Sequence, residues 1–225
     1  MEDLLDAASF SGLISRTFAV RVADASQGRL VVNGYPNGYP DLLVSGQYPM
    51  DKAQRADQGV EFKASRSESS WQAHGPREGW FVVTQFALDE RPEVARLERE
   101  PTEIVAVFVA RLTETDWSWQ PAAPGRIRSG TASLKATGRA RLRTGAVWVA
   151  PTYLERHKEI TRKVALDAVR DAAKSRLRSL EFDVPATVAE IESFGLDPEL
   201  VRDRVGKIAR SLRKVGSPGA LAPEQ

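Results

Sequence analysis

Apolar residues recur along this chain with two periods. In residues 3–16, Leu4, Leu5, Ala8, Phe10, Leu13 and Ile14 fall at the three- and four-residue steps of an amphipathic helix. Glu2, Asp3 and Asp6 at its start complement the positive end of the helix dipole. Residues 17–22 and 29–32 read as short strands around a polar turn. The Gly- and Pro-rich stretch 33–40 then delivers Asp41 and the apolar run Leu42, Leu43 and Val44. Residues 50–59 are polar and charged, a loop or short helix. Beyond them, Val60 and Phe62 alternate with Glu61 and Lys63, which a strand sorts onto opposite faces. Residues 80–88 and 104–112, dense in Val, Phe and Ala, are the strongest candidates for buried strands, and Gln85 on the first of them is placed by register toward the face of Glu61 and Lys63.

In the second half, residues 121–125 read as a loop and 131–149 as short strands broken at Thr137-Gly138 and Thr144-Gly145, a β-ribbon. The period then lengthens. Leu154, Ile160, Val164, Leu166, Val169, Ala173, Leu177 and Leu180 fit one long helix over 153–180, with two more helices over 187–194 and 198–215. The last two resemble a helix-turn-helix only loosely, and packing on the core or dimerisation is the better use for them. The expected class is α/β, a mixed central sheet flanked by helices. It divides into a core at 1–150, with the ribbon near 126–149, a helical extension at 151–215 and a disordered tail at 216–225.

Composition narrows the chemistry. The 225 residues contain no cysteine, which excludes disulfides and thiolate metal sites, and only two histidines, His74 and His157, so a metal site must be built from carboxylates. No run of about eighteen apolar residues suggests a membrane span. The acidic start MEDLLDAASF is unlike a basic secretory leader, so a cytoplasmic location is expected. Net charge is only +2, so the distribution of charge matters more than its sum. Between Asp116 and Glu155 there is no acid, while Arg126, Arg128, Lys135, Arg139, Arg141 and Arg143 all lie there. As a strand, residues 139–143 put three guanidinium groups on one face, and a two-stranded ribbon can enter the major groove. A solvated strand face compensated by acids from elsewhere is the other reading.

If the strand opening at Asp41 pairs antiparallel with the strand carrying Glu61, the two carboxylates and the Lys63 amine converge across the ladder. Paired carboxylates hold Mg²⁺ and leave it several waters, and a lysine beside a phosphate offsets charge developing in the transition state. Pro40-Asp41 and Glu61-Phe62-Lys63, with nineteen residues between the acids, resemble the PD-(D/E)xK motif of the restriction-endonuclease-like nuclease superfamily. Neither a second Pro-Asp nor a second acid-x-Lys triplet occurs in the chain. The resemblance covers roughly the first half of the chain at motif level. It implies a restriction-endonuclease-like core in which Asp41, Glu61 and the Phe62 carbonyl ligand Mg²⁺ and Lys63 positions or activates the attacking water. An acid on the first helix, Glu2, Asp3 or Asp6, would assist in some members of that family.

The expected function is therefore a Mg²⁺-dependent endonuclease on double-stranded DNA, foremost a site-specific type II restriction enzyme. Such an enzyme acts as a homodimer and is accompanied by a cognate DNA methyltransferase. A repair, recombination or phage-defence nuclease with structural preference, and a non-catalytic DNA-binding regulator with a fortuitous acid-x-Lys triplet, are the alternatives. No GxxxxGK[ST] motor motif is present. Arg66, Trp71, His74 and Arg77, in the aperiodic stretch 65–79, are candidate DNA contacts. An ordinary surface connection with Trp71 tucked onto the core serves equally well for that stretch, and for His74 the surface role is the stronger.

Overall fold

The computed structural model describes residues 6–68, 71–95, 98–122, 130–178, 189 and 197–215. The first element, α1 (Ala7–Ala25), begins where the Asp6 carboxylate accepts the amide hydrogens of Ala8 and Ser9 at 3.0 and 2.9 Å. Asp6 is thus the N-cap, satisfying amides that the first turn leaves without partners. The helix ends at Ser26, whose hydroxyl donates to the Ala23 carbonyl at 2.7 Å. It runs straight through residues 17–22, which were expected to form a strand. Thr17, Phe18, Val20 and Val22 carry β propensity, but Phe10, Phe18, Ala19 and Ala23 recur at helical spacing and meet the sheet, and that packing outweighs a weak local preference.

Six strands form the main sheet: β1 (Leu30–Val32), β2 (Leu42–Val44), β3 (Val60–Ser65), β5 (Gly79–Ala87), β6 (Glu103–Leu112) and β9 (Ala146–Val149), in the order β1-β2-β3-β5-β6-β9. All neighbours are antiparallel except β3 and β5, which run parallel over Val60↔Trp80 to Ser65↔Gln85. The sheet is mixed and helix-flanked, as the patterning predicts. A smaller antiparallel sheet is built from β4 (Gln72–Ala73), β8 (Thr131–Leu134) and β7 (Trp117–Gln120), in that order. The main sheet is therefore covered on both faces. Leu42, Phe62 and Val82 meet Ala19 of α1 on one side, while Phe81, Val83 and Phe108 meet Trp71, Trp117 and Leu134 on the other.

Residues 131–149 do not make a ribbon. Two short strands, in different sheets, flank a helix, α2 (Ala136–Thr144). The alternation of Arg139, Arg141 and Arg143 with Ala140 and Leu142 imitates a strand, yet the segment is a helix buried on two sides: Ala136 and Ala140, four apart, pack with Ile160 and Val164, while Leu142 packs in the main-sheet core. Because two residues turn an α-helix by about 200°, the three arginines lose their common face. Gly138 permits the docking of α2, since a Cβ there would stand 2.9 Å from that of Asp116. Helix α3 (Leu154–Arg178) packs Ile160, Val164 and Ala168 against Ala136 and Ala140, and α4 (Pro198–Val215) packs on α3 with Val201 and Val205 buried. The long helix and the last helix thus form as expected. The helix expected over 187–194, apart from residue 189, the tail over 216–225, and Glu2, Asp3, Arg126 and Arg128 lie outside the described residues. No helix among the described residues is long and apolar enough to cross a membrane.

Candidate metal and phosphate site

Asp41 reaches its place through a loop pinned by Asn33. The buried Asn33 amide donates to the carbonyls of Pro40 (3.0 Å) and Ala53 (2.8 Å), while its oxygen accepts from the amides of Tyr35 and Ala53. These bonds tie both ends of the turn-rich segment to the stretch before β3. The sequence reading missed this residue, and its only local signal is the Asn33-Gly34 pair in a turn. The Leu42↔Val60 pairing is followed directly by Asp41 on one side and Glu61 on the other, which brings the two acids to the same end of the strand pair. Here β2 stops as a ladder partner, and the Asp41 carboxylate takes its place by accepting the Phe62 amide hydrogen at 2.8 Å.

That bond also fixes the direction of the Phe62 carbonyl. In a strand, a residue's own N–H and C=O point to the same edge. Since the Phe62 N–H points to Asp41, its carbonyl oxygen is turned toward the same edge, while the Phe62 ring packs beneath α1. Glu61, 8 % exposed, is ion-paired with the half-exposed Lys63 two residues on. Burial raises the Glu61 carboxyl above its ordinary range and the Asp41 charge adds to the rise, opposed by Lys63 and Arg77. A buried carboxylate held against a second one gains stability from a cation.

The edge of β3 borders a cleft of about 490 Å³, lined in part by Ser11, Ser15 and Arg16 of α1, by Asp41 and Lys63, and by His74. Two carboxylates and a carbonyl are hard oxygen donors of the type that suits Mg²⁺, which keeps its remaining positions for water and phosphate. Among the described residues no group of three or more His, Cys, Asp or Glu side chains is placed to hold a metal, so an ion here would need the Phe62 carbonyl beside the two carboxylates. The residues present fit such an ion.

The remaining candidates divide. His74 is exposed at the rim of the cleft, and Arg77 lies 4.2 Å from the centre of the Tyr39 ring. Arg66 is exposed and ion-paired with Glu90, and Lys135 donates to the Thr115 carbonyl at 3.0 Å. Trp71, a candidate DNA contact, is 4 % exposed and packs on Phe108 with ring centres 5.7 Å apart, so it is a core residue. Arg143 is likewise excluded from DNA: it is 1 % exposed, sits over Phe108 and contacts His157 Nδ1 at 3.3 Å. Arg141 turns toward the buried Asp116, with Nε and Oδ2 3.5 Å apart. Arg139, on another side of the helix from Arg141, is half-buried. Gln85 does lie on the face of Glu61 and Lys63, but it is buried and donates to the Tyr153 hydroxyl at 2.9 Å.

Comparison of the chain with protein-family models, with curated proteins and with solved structures returned no match.

Proposed function

We propose that this protein is a Mg²⁺-dependent endonuclease that hydrolyses phosphodiester bonds of double-stranded DNA. The observation that carries the reading is the approach of Asp41 to β3, where its carboxylate accepts the Phe62 amide hydrogen next to Glu61, which is itself ion-paired with Lys63. Asp41, Glu61 and the Phe62 carbonyl would hold the ion. When bound, Mg²⁺ lowers the pKa of a water and polarises a phosphoryl oxygen. Lys63 exchanges its partner Glu61 for the phosphate and offsets the negative charge that grows there.

A site-specific enzyme of the restriction type, working as a homodimer beside a cognate methyltransferase, is the first form of this proposal, because two copies about a twofold axis cut both strands most simply. A repair or phage-defence nuclease with structural preference is the second. It is favoured by one observation: Arg139, Arg141 and Arg143 sit in α2, so residues 131–149 offer no ribbon to the major groove.

Incubating plasmid and phage DNA with the protein, in Mg²⁺ or in chelator, tests both forms. Discrete metal-dependent fragments support the restriction form, and nicks or smears support the structural one. DNA that is bound but left intact under every condition overturns the nuclease reading in favour of a DNA-binding regulator. Asp41→Asn and Lys63→Ala should each abolish cutting and retain binding.

A further inference from the structure

A second cleft, of about 810 Å³, opens where β3 and β5 begin, next to the candidate metal site. Its lining includes Tyr39, Arg55, Val60, Arg77, Trp80 and Arg111. Trp80 is 51 % exposed although it stands in a strand of the main sheet, with Arg111 as its partner across the β5–β6 pairing. An exposed indole on a cleft wall offers a flat face on which a base can stack. At the other end of the cleft, the Arg77 guanidinium lies over the Tyr39 ring, 4.2 Å from its centre, and both Arg77 and Arg55 act electrostatically on the Tyr39 hydroxyl. Burial and the Glu61 charge nevertheless push that hydroxyl up to about 12, so it stays protonated and donates to the Glu78 carbonyl at 3.0 Å. Arg77 also acts on Glu61, which ties this end of the cleft to the carboxylate pair.

The charge of the lining is balanced. Arg55, Arg77 and Arg111 face Asp57, Glu78 and Glu114, and Arg111 is paired with Glu78 at 3.2 Å. A long run of phosphates would meet as many acids as bases, whereas one phosphate between Arg55 and Arg77 meets two cations. The volume lies within the range that holds a nucleotide-sized ligand. We infer that the cleft takes a single unpaired nucleotide of the DNA strand adjoining the scissile phosphate, its base stacked on Trp80 and its phosphate held between Arg55 and Arg77. This rests on the nuclease reading for the identity of the strand.

Equilibrium binding of a dye-labelled forked duplex, in chelator so that no cutting occurs, provides the test. Trp80→Ala and Arg55→Gln, both at exposed positions, should each weaken binding about tenfold, as loss of one base stack or one phosphate contact does. For the fully paired duplex the same substitutions should have an effect of less than about twofold. In Mg²⁺ they should raise KM and leave kcat unchanged. Binding equal to wild type in both variants, or no binding of the forked duplex by the wild type, overturns the inference. The two readings fail separately: cutting with no loss of binding in Trp80→Ala removes the nucleotide cleft alone. Trp80-dependent binding with no cutting removes the nuclease and keeps the cleft.

Discussion

The Asp41 carboxylate accepts the Phe62 amide hydrogen at 2.8 Å, just past the Leu42↔Val60 pairing, and so occupies the hydrogen-bonding place that β2 vacates beside Glu61. The end of one strand is thereby converted into an edge carrying two acids and a carbonyl. Everything that holds β2 in register with β3 consequently holds the candidate site together.

Asn33 is the first of these. Truncating it to Ala removes four hydrogen bonds to backbone groups, two of them on the buried Ala53, and should cost about 2–4 kcal/mol in a denaturant titration. Metal affinity should fall with it, because the Pro40 carbonyl beside Asp41 loses its anchor. Asn33→Ala with wild-type stability would mean that the loop is held by something else.

Gly59 precedes β3 with φ +144, a conformation that L side chains rarely adopt, and a Cβ there would stand 2.1 Å from the Leu42 carbonyl oxygen. Gly59→Ala must push β2 away from β3. The expected result is a loss of about 2–4 kcal/mol together with weaker divalent-ion binding, whereas Gly28→Ala, with φ +80 and open space around it, should lower stability and leave ion binding intact.

Glu61 sets a pH dependence. Its carboxyl is raised in the folded protein, by burial first and by Asp41 next, so between the ordinary carboxylate range and the raised value the folded state holds more protons than the unfolded one. Stability without metal therefore declines as pH rises through that window. Thermal melts in chelator should record this decline in wild type and not in Glu61→Gln. Mg²⁺ favours the ionised form, so ion binding should release protons and tighten as pH rises through the same window. A Mg²⁺ affinity independent of pH there would contradict the assignment of Glu61.

Arg143 and His157 give a prediction unrelated to DNA. Arg143 is buried over Phe108 and Trp71, and burial together with Arg143 lowers the His157 imidazole below its ordinary 6.5. A histidine held neutral in the fold contributes stability that is lost as pH falls below 6.5. The acid-side loss should be smaller in His157→Gln, which keeps an acceptor for Arg143 and does not titrate. Arg143→Met should stay within about 1.5 kcal/mol of wild type and bind DNA normally, since an apolar chain of similar length fills the site. A drop in DNA affinity without a drop in stability would return Arg143 to the nucleic-acid surface.

What could be read from the sequence follows from how local each signal is. β2, β3, β5 and β6 are legible because Leu42–Val44, the alternation around Phe62 and the apolar runs at 80–88 and 104–112 each carry their own period. The facing of Asp41 and Glu61 follows from that alternation once the two strands pair. The extension of α1 through Val22 was hidden because its evidence is contact with Leu42 and Phe62, twenty and more residues away. Residues 139–143 misled for a different reason: arginine at every second position satisfies the strand period, and the packing of Ala136 and Ala140 on residues 160–168 that makes the segment a helix is not visible in the local pattern. Asn33 and the Tyr39–Arg77 stack are tertiary arrangements with no periodic trace.

The central claim is that positions 41, 61 and 62 together hold a divalent ion. Calorimetric titration of Mg²⁺ into the DNA-free protein at neutral pH measures this most directly, with Asp41→Asn and Glu61→Gln alongside. The account predicts one class of site in wild type, weakened at least tenfold by either substitution while the thermal melts in chelator remain cooperative. Wild-type affinity in both variants, or the absence of any Mg²⁺ binding by the wild-type protein, would contradict it.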